Sequence, residues 1–417
     1  MSVFDAVVLA DSPHARIEVL GLTLVERGRR VAKRAGARRV FVVENKQDFD
    51  ALLRWDDERG DAALLIMRAG DQVVHTPLIE ALLRGTAKKR IATGPEGYSG
   101  AIWLEASAAR AVLEELHAGT SDVEIALRGD TEVIPHGDIA VHPATTNEER
   151  ATAAKMLMKL LVKPEDNPFT RYIYRPISRP LTRMLVGTPV TPNQISIVVL
   201  VIGMLGCWFT ARPGQQSLII GAALVLLAGF IDGSDGEIAR LRLTSSKLGA
   251  WLDTIVDELT TTVYFVAAGA HVYQHHPARW VIPSIIVGLV CYLVAIYGIY
   301  YFLVVVSKTG NSQHYVGDLE IVQSDDGPAL RPKHRAPSNA PRWLLLVGTA
   351  IKHVVRRDFI NLGALALTFV NAYMIIYVGM LLGGIVTAVI VIPEHLRLRS
   401  QIREVFRRGG TPRLVTS

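Results

Sequence analysis

The chain has 417 residues, half of them hydrophobic, and a formal net charge of +6. That length holds two domains, and two cysteines, Cys207 and Cys291, both inside apolar runs, leave a disulfide framework or a zinc site without support. The positive charge does not point to nucleic acid, because many basic residues flank hydrophobic segments, where anionic membrane lipid is the expected partner.

Taken in chain order, the first 145 residues alternate two patterns. Runs at 6–10, 39–43, 63–67 and 100–104 read as strands, and 24–36, 46–54, 77–85 and 107–117 read as helices. The alternation predicts an α/β domain with a mostly parallel sheet over residues 1–145. The first apolar run is too short for a secretory signal, so this domain is expected to fold in the cytoplasm. Residues 146–190 read as a linker. Within it, 168–186 mixes Phe, Tyr, Ile and Leu with four arginines, the composition of an amphipathic segment lying along lipid headgroups.

Residues 191–400 hold apolar runs of membrane-spanning length. Six spans are expected, at 194–211, 216–238, 250–272, 280–305, 355–372 and 374–393. Arg171, Arg175, Arg179 and Arg183 precede the first span, and Arg240, Arg242 and Lys247 separate the second from the third. The short loops on the other side carry only Arg212 and Arg279. This asymmetry places both termini in the cytoplasm, with the cell inner membrane as the expected location. Residues 401–417 form a basic cytoplasmic tail, and 309–341, rich in Gly, Pro, Ser and Asp, read as a flexible loop. The fold class is therefore multidomain: an N-terminal α/β domain and an all-α membrane domain of six transmembrane helices.

The informative stretch is DGSDGEIARLRLTSSKLGAWLDTIVD, residues 232–257. On a helix Asp232, Asp235, Gly236, Ala239 and Arg240 share one stripe. Asp253 and Asp257, four apart, share a face of the next helix, beyond a polar turn at 241–248. Four carboxylates facing one another near the membrane surface repel unless compensated. Two divalent cations would balance them, and carboxylate-only ligation selects Mg²⁺ or Mn²⁺ over zinc. Such an ion pair suits phosphoryl transfer. Gly236 and Ala239 leave room for a nucleotide to approach the backbone, and Arg240 can neutralise a diphosphate oxygen.

The ungapped pattern formed by Asp232, Asp235, Gly236, Ala239, Arg240, Gly249, Asp253 and Asp257 resembles the signature of the CDP-alcohol phosphotransferases. That family includes phosphatidylinositol phosphate and phosphatidylglycerophosphate synthases. TPNQIS, at 191–196, looks like the family's Pro-Asn element at the start of the first span. The resemblance covers about residues 165–400. It implies metal-dependent transfer of a phosphoalcohol group from a CDP-alcohol such as CDP-diacylglycerol to an alcohol such as inositol phosphate or glycerol phosphate, releasing CMP. It implies Asp232, Asp235, Asp253 and Asp257 as metal ligands, with Asp257 also the general base, and Pro192, Asn193, Gly236, Ala239, Arg240, Ser246 and Gly249 as donor-binding residues. It further implies a homodimer. Lys308, Arg356 and Arg357, at the cytoplasmic ends of the fourth and fifth spans, are candidates for binding an acceptor phosphate; membrane anchoring explains them equally well.

The opening AVVLADSPHARIEVLGLTLVERGRRVAKRAGARRVFVV resembles the start of a sugar-phosphate nucleotidyltransferase, and Asp71 in RAGDQVVHTPLIEALL resembles that family's metal-binding segment. The loop Asp11-Ser12-Pro13-His14-Ala15-Arg16 departs from it. A phosphate cradle needs backbone amides, usually supplied by glycines, and this loop has no glycine and a proline that removes a donor. A degenerate domain is expected. The alternative is a bifunctional enzyme whose first domain is a cytidylyltransferase making CDP-inositol for the membrane domain. A third reading, an ion-coupled transporter, suits carboxylates at a helix end less well than at the midplane.

Overall fold

In the computed structural model, residues 3–137, 140–161, 168–310, 314–324, 327–333 and 357–415 are described. The chain divides into two units: 1–165 with the segments 182–189 and 237–244, and the remaining residues.

The first unit is built on β1 (Phe4–Leu9), whose residues FDAVVL are all buried. A hairpin of β2 (Glu18–Val19) and β3 (Leu22–Thr23) follows, then α1 (Leu24–Arg34), β4 (Val40–Val43), α2 (Asp48–Asp57) and β5 (Ala63–Arg68). Next come β6 (Gln72–Val74), α3 (Thr76–Leu83), β7 (Lys89–Gly94), β8 (Gly97–Leu104), α4 (Ala106–His117), α5 (Asp122–Leu127), β9 (Glu132–Pro135), β10 (Val141–Pro143) and α6 (Asn147–Lys159). A strand buried on both faces needs cover on both. Phe4, Ala6 and Val8 pack with Val31 of α1 and Ile79 of α3 on one face. Val7 and Leu9 pack with Leu52 of α2 and Leu113 of α4 on the other.

The main sheet runs β4-β1-β5-β8-β7-β9. Its first three strands are parallel, with Ala6 opposite Val40 and Phe4 opposite Ala63. The four strands and four helices read from the sequence are all present, with ends shifted by a few residues. The sheet is nevertheless mixed, because β8 lies antiparallel to both β5 and β7. Strand β7 escapes a pattern search: its apolar centre is only Ile91 and Ala92, between Lys89-Arg90 and the turn at 94–97. Gly97 takes φ +99°, open to glycine without strain, and so permits the tight hairpin.

Two outlying segments belong to this unit. The buried Arg27 guanidinium donates to the Val19 and Leu241 carbonyls, both at 3.0 Å, and Arg242 donates to the Val186 carbonyl at 2.8 Å.

The second unit is helical. A turn of wide helix, Thr170–Tyr174, runs into α7 (Arg175–Leu185). Then come α8 (Pro192–Thr210), α9 (Gln215–Leu241), α10 (Lys247–His275) and α11 (Val281–Phe302). After the hairpin β11 (Leu319–Ser324) and β12 (Gly327–Pro332) follow α12 (Arg357–Phe369) and α13 (Tyr373–Arg407). Among the described residues, four helices are long and apolar enough to cross a membrane: Pro192–Thr210, Gln215–Leu241, Val281–Ser307 and Tyr373–Arg407. Helix α10 has the length but carries Asp253, Asp257 and Glu258, which lower its hydropathy. Helix α12 has 13 described residues. It ends ahead of Asn371, which takes the left-handed φ of +55°; asparagine is tolerated there.

Close packing sets the helix spacing. A Cβ on Gly206 of α8 would fall 2.8 Å from Val225 Cγ2 and 3.0 Å from the Gly221 carbonyl of α9, so no larger residue fits. Helix α13 continues past Pro393 to Arg407 rather than ending with its apolar part. There Leu398, Ile402 and Val405 join Phe302, Leu303, Leu319 and Leu330 in one cluster. Part of the loop expected to be flexible thus forms a hairpin with apolar partners; its residues 311–313, 325–326 and 334–341 lie outside the described residues.

Asp5 generates a test of the first unit. Its carboxylate is fully buried and accepts from Arg38 Nε at 3.0 Å and Arg39 Nη2 at 2.8 Å. Burial by itself raises the Asp5 pKa, but the two arginines outweigh it and hold it below the usual carboxylate range. The contribution to stability is therefore present above the unfolded pKa of about 3.9 and is lost as pH falls through the lower folded value. Asp5→Asn is expected to cost about 1.5–3 kcal/mol at neutral pH. Hydrogen exchange of Phe4–Leu9 in the detergent-solubilised protein should speed accordingly. The wild type should lose the difference in strong acid.

Candidate active site

The end of α9 carries Asp232 and Asp235, three apart, and the first half of α10 carries Asp253 and Asp257. The chain reverses between them through Leu243, at φ +54°. Ser246 then caps α10, its hydroxyl accepting from Gly249 N–H at 3.0 Å. Reversal brings the two acidic faces together. One carboxylate oxygen from each of Asp232, Asp235 and Asp253 lies within 4.8 Å of the others. Asp235 is buried, and its neighbours are half-buried. Ser196 of α8 donates to Asp235 Oδ2 at 2.5 Å, and Gly236 N–H donates to Asp235 Oδ1.

Asp257 lies outside that group of three and is held by Arg357, the first residue of α12. The guanidinium spans two carboxylates: Nη2 is 2.9 Å from Asp232 Oδ2, and Nη1 pairs with Asp257 Oδ1. The segment before α7 braces the start of α12. Thr170 Oγ1 donates to Asp358 Oδ2 at 2.6 Å, Tyr174 OH donates to the Asp358 carbonyl at 2.9 Å, and Phe169 meets Phe359 edge-on at 5.0 Å.

The other predicted residues distribute as follows. Asn193 meets the turn into α10: a Cβ on Gly249 would lie 3.2 Å from Ser246 Oγ and 3.5 Å from Asn193 Oδ1. Pro192 opens α8, and Gly236, Ala239 and Arg240 occupy the last turns of α9. Lys308 is exposed at the left-handed end of the turn Leu303–Ser307. Arg356 lies outside the described residues. Asp232, Asp257 and Arg357 line a cavity of about 560 Å³, which Lys308 does not line. Its remaining walls are mainly apolar, with Val225, Ile360, Leu367 and Met380 among them.

Sequence reasoning missed Ser196 as a partner of Asp235, though it falls four residues after Pro192 and so on the same face of α8. It also missed Glu258, Tyr292 and Tyr300. The hydroxyls of the two tyrosines, both on α11, donate to Glu258 at 2.5 and 3.1 Å. These residues sit in apolar runs with no motif to mark them.

The donor set is all carboxylate oxygen, drawn from two helices, with neither histidine nor cysteine in the group. It fits a hard divalent cation and does not fit zinc or copper. Clustering three carboxylates among apolar helices without a cation is costly, which points the same way.

Residues 189–327 match the model of the family described as CDP-alcohol phosphatidyltransferase. A protein named bifunctional IPC transferase and DIPP synthase, from Aquifex aeolicus, is 32% identical over 127 residues, covering 30% of this chain and 28% of its own. An archaetidylinositol phosphate synthase from Methanothermobacter thermautotrophicus is 36% identical over 67 residues, covering 16% of this chain and 34% of its own. The matched part of this chain thus spans about a third or less of these curated relatives. The crystal structure of Mycobacterium tuberculosis phosphatidylinositol phosphate synthase with CDP-DAG bound covers 54% of this chain and 90% of its own, at 18% identity and a TM-score of 0.33.

Mn²⁺ binding to the purified protein, followed by electron paramagnetic resonance, tests the cluster. Asp253→Asn is expected to abolish tight binding. Ser196→Ala, which frees Asp235 to turn, is expected to weaken binding about 10–100-fold. Wild-type Mn²⁺ affinity in both variants contradicts the assignment.

Proposed function

We propose that the chain is a membrane-bound CDP-alcohol phosphotransferase, moving a phosphoalcohol group from a CDP-activated donor such as CDP-diacylglycerol to an alcohol acceptor, in phospholipid synthesis. The observation that carries this reading is the convergence of Asp232, Asp235 and Asp253 from two helices of the family-matched segment. Six spans, with α10 and α12 as the third and fifth, would put this cluster near the cytoplasmic face of an inner membrane, in a homodimer.

Asp232, Asp235, Asp253 and Asp257 would hold two ions, Mg²⁺ or Mn²⁺, which supply charge neutralisation for the diphosphate and a polarised phosphorus. The chain's own residues do the rest. Pro192, Asn193, Ser246 and Gly249 would form the nucleotide side, and Gly236 and Ala239 leave the last turns of α9 narrow enough for the donor to lie against them. Arg240 would neutralise a diphosphate oxygen. Asp257 takes the proton of the acceptor hydroxyl as its oxygen attacks the phosphorus that bears the donor's alcohol. The new P–O bond forms as the bond to the CMP oxygen breaks, and CMP leaves with that electron pair.

Arg357 supports a phosphorylated acceptor, such as inositol phosphate or glycerol phosphate. Its guanidinium already bridges Asp232 and Asp257 in the wall of the cavity. A phosphate there competes for the same two-pronged donor. Membrane anchoring alone does not account for a guanidinium turned onto two carboxylates.

For the first unit we favour a degenerate nucleotidyltransferase-like domain. In open α/β sheets ligands bind beyond the strand ends, where connections diverge; here that is between β1 and β5. There the loop after β1 lies close against Gly70, whose added Cβ would fall 2.9 Å from Ser12 Cβ, and Asp71 Oδ1 is 3.5 Å from Arg68 Nε; with no glycine in the loop, this favours the degenerate reading. The bifunctional alternative, a cytidylyltransferase making CDP-inositol, draws on the Aquifex relative's name.

Purified protein given CDP-diacylglycerol, Mg²⁺ and a phosphorylated acceptor is expected to release CMP, and excess EDTA is expected to stop it. Activity undiminished by EDTA rejects the metal-dependent reading. Arg357→Gln is expected to raise the acceptor KM roughly 10–100-fold, with the donor KM little changed. Equal changes in both KM values would return Arg357 to a structural role. The full chain given CTP with inositol phosphate or glycerol phosphate is expected to release no pyrophosphate; release dependent on both substrates establishes the bifunctional alternative.

A further inference from the structure

Glu258 has no part in the carboxylate cluster, yet it sits one residue beyond Asp257 on α10 and lines the same cavity as Asp232, Asp257 and Arg357. A carboxylate at this place in a helical bundle is costly and calls for a function with named partners. Its described partners are hydroxyls of α11. Tyr292 OH donates to Oε2 at 2.5 Å, and Tyr300 OH donates to Oε1 at 3.1 Å. Tyr292 and Thr261 line the cavity beside it. This polar strip interrupts walls that are otherwise mainly apolar.

A carboxylate offers about four acceptor positions. Two are taken, one on each oxygen, and the tyrosines fix the carboxylate plane so that the rest have a set direction. From this geometry we infer that Glu258, clasped by Tyr292 and Tyr300, is a specificity-determining residue that accepts hydrogen bonds from the non-reacting hydroxyls of a polyol acceptor. The inference rests on the proposed transfer reaction. It assigns the two ends of one acceptor separately: the phosphate to Arg357, and the hydroxyl-rich body to the Glu258 clasp. A second anionic group is repelled at Glu258. A ligand with few hydroxyls leaves the remaining acceptor positions of the clasp unmatched.

The test uses full-length protein with CDP-diacylglycerol and three acceptors: inositol phosphate, glycerol phosphate and serine. Wild type should favour inositol phosphate. Glu258→Gln keeps the shape and loses the charge. Tyr292→Phe keeps the ring and loses only one hydroxyl, so it carries the test if the first variant does not fold. Both are expected to raise the KM for inositol phosphate roughly tenfold or more relative to that for glycerol phosphate, the value of one hydrogen bond to a charged group. The donor KM should stay within about twofold, a split that a merely structural tie between α10 and α11 does not produce. An unchanged preference in Tyr292→Phe, or equal shifts in donor and acceptor KM, overturns the inference while leaving the transfer reaction standing. Preference for serine, whose ammonium would suit Glu258 in place of hydroxyls, also overturns it. Failure of wild type to release CMP with any of the three removes the transfer reading itself, and this inference with it.

Discussion

Carboxylates of like charge held close together among apolar helices organise the second unit. Asp232, Asp235 and Asp253 present oxygens within 4.8 Å of one another, where water cannot fully screen them. Each flanking interaction reads as a response to that repulsion. Ser196 and the Gly236 N–H take up the two oxygens of Asp235. Arg357 spans Asp232 and Asp257. The segment before α7 ties down Asp358, the residue next to Arg357, through Thr170 and Tyr174. A bundle arranged to converge charge in this way is poised to bind cations and the phosphates that accompany them.

The helices can afford this convergence because small residues let them approach. Gly206 and Gly221 bring α8 against α9, and Gly203 faces Thr260 across α8 and α10. Ser196 on α8 therefore reaches Asp235, and Asn193 reaches Gly249. The residues of the motif proposed to hold metal and nucleotide share these three helices. The acceptor-facing candidates, Arg357 on α12 and Glu258 with its α11 tyrosines, come from helices on which sequence alone marks little.

The first unit is held by burial on both faces of its sheet. Its core is complete on both faces of β1, and Asp5 is fully paired. Beyond the ends of β1 and β5, Gly70 lies close against Ser12, and Arg68 pairs with Asp71. Packing of the sheet does not depend on glycines in that loop, whereas a backbone phosphate cradle does.

The sequence by itself determined the local features. Apolar runs of spanning length, the helical spacing of Asp232 with Asp235 and Asp253 with Asp257, strands β1, β4, β5 and β8 and helices α1–α4 all follow from short-range periodicity. It also set the expectation of a hard divalent cation, since clustered carboxylates offer only hard oxygen donors. Tertiary structure alone decided which carboxylates meet: three group together, and the fourth turns to Arg357, a residue 100 positions further along the chain. Strand β7, the apolar partners of 319–330, Ser196 and the Tyr292–Glu258–Tyr300 clasp were likewise hidden. Each depends on contacts between segments far apart in sequence, where side-chain direction and helix rotation, not residue spacing, set the partner.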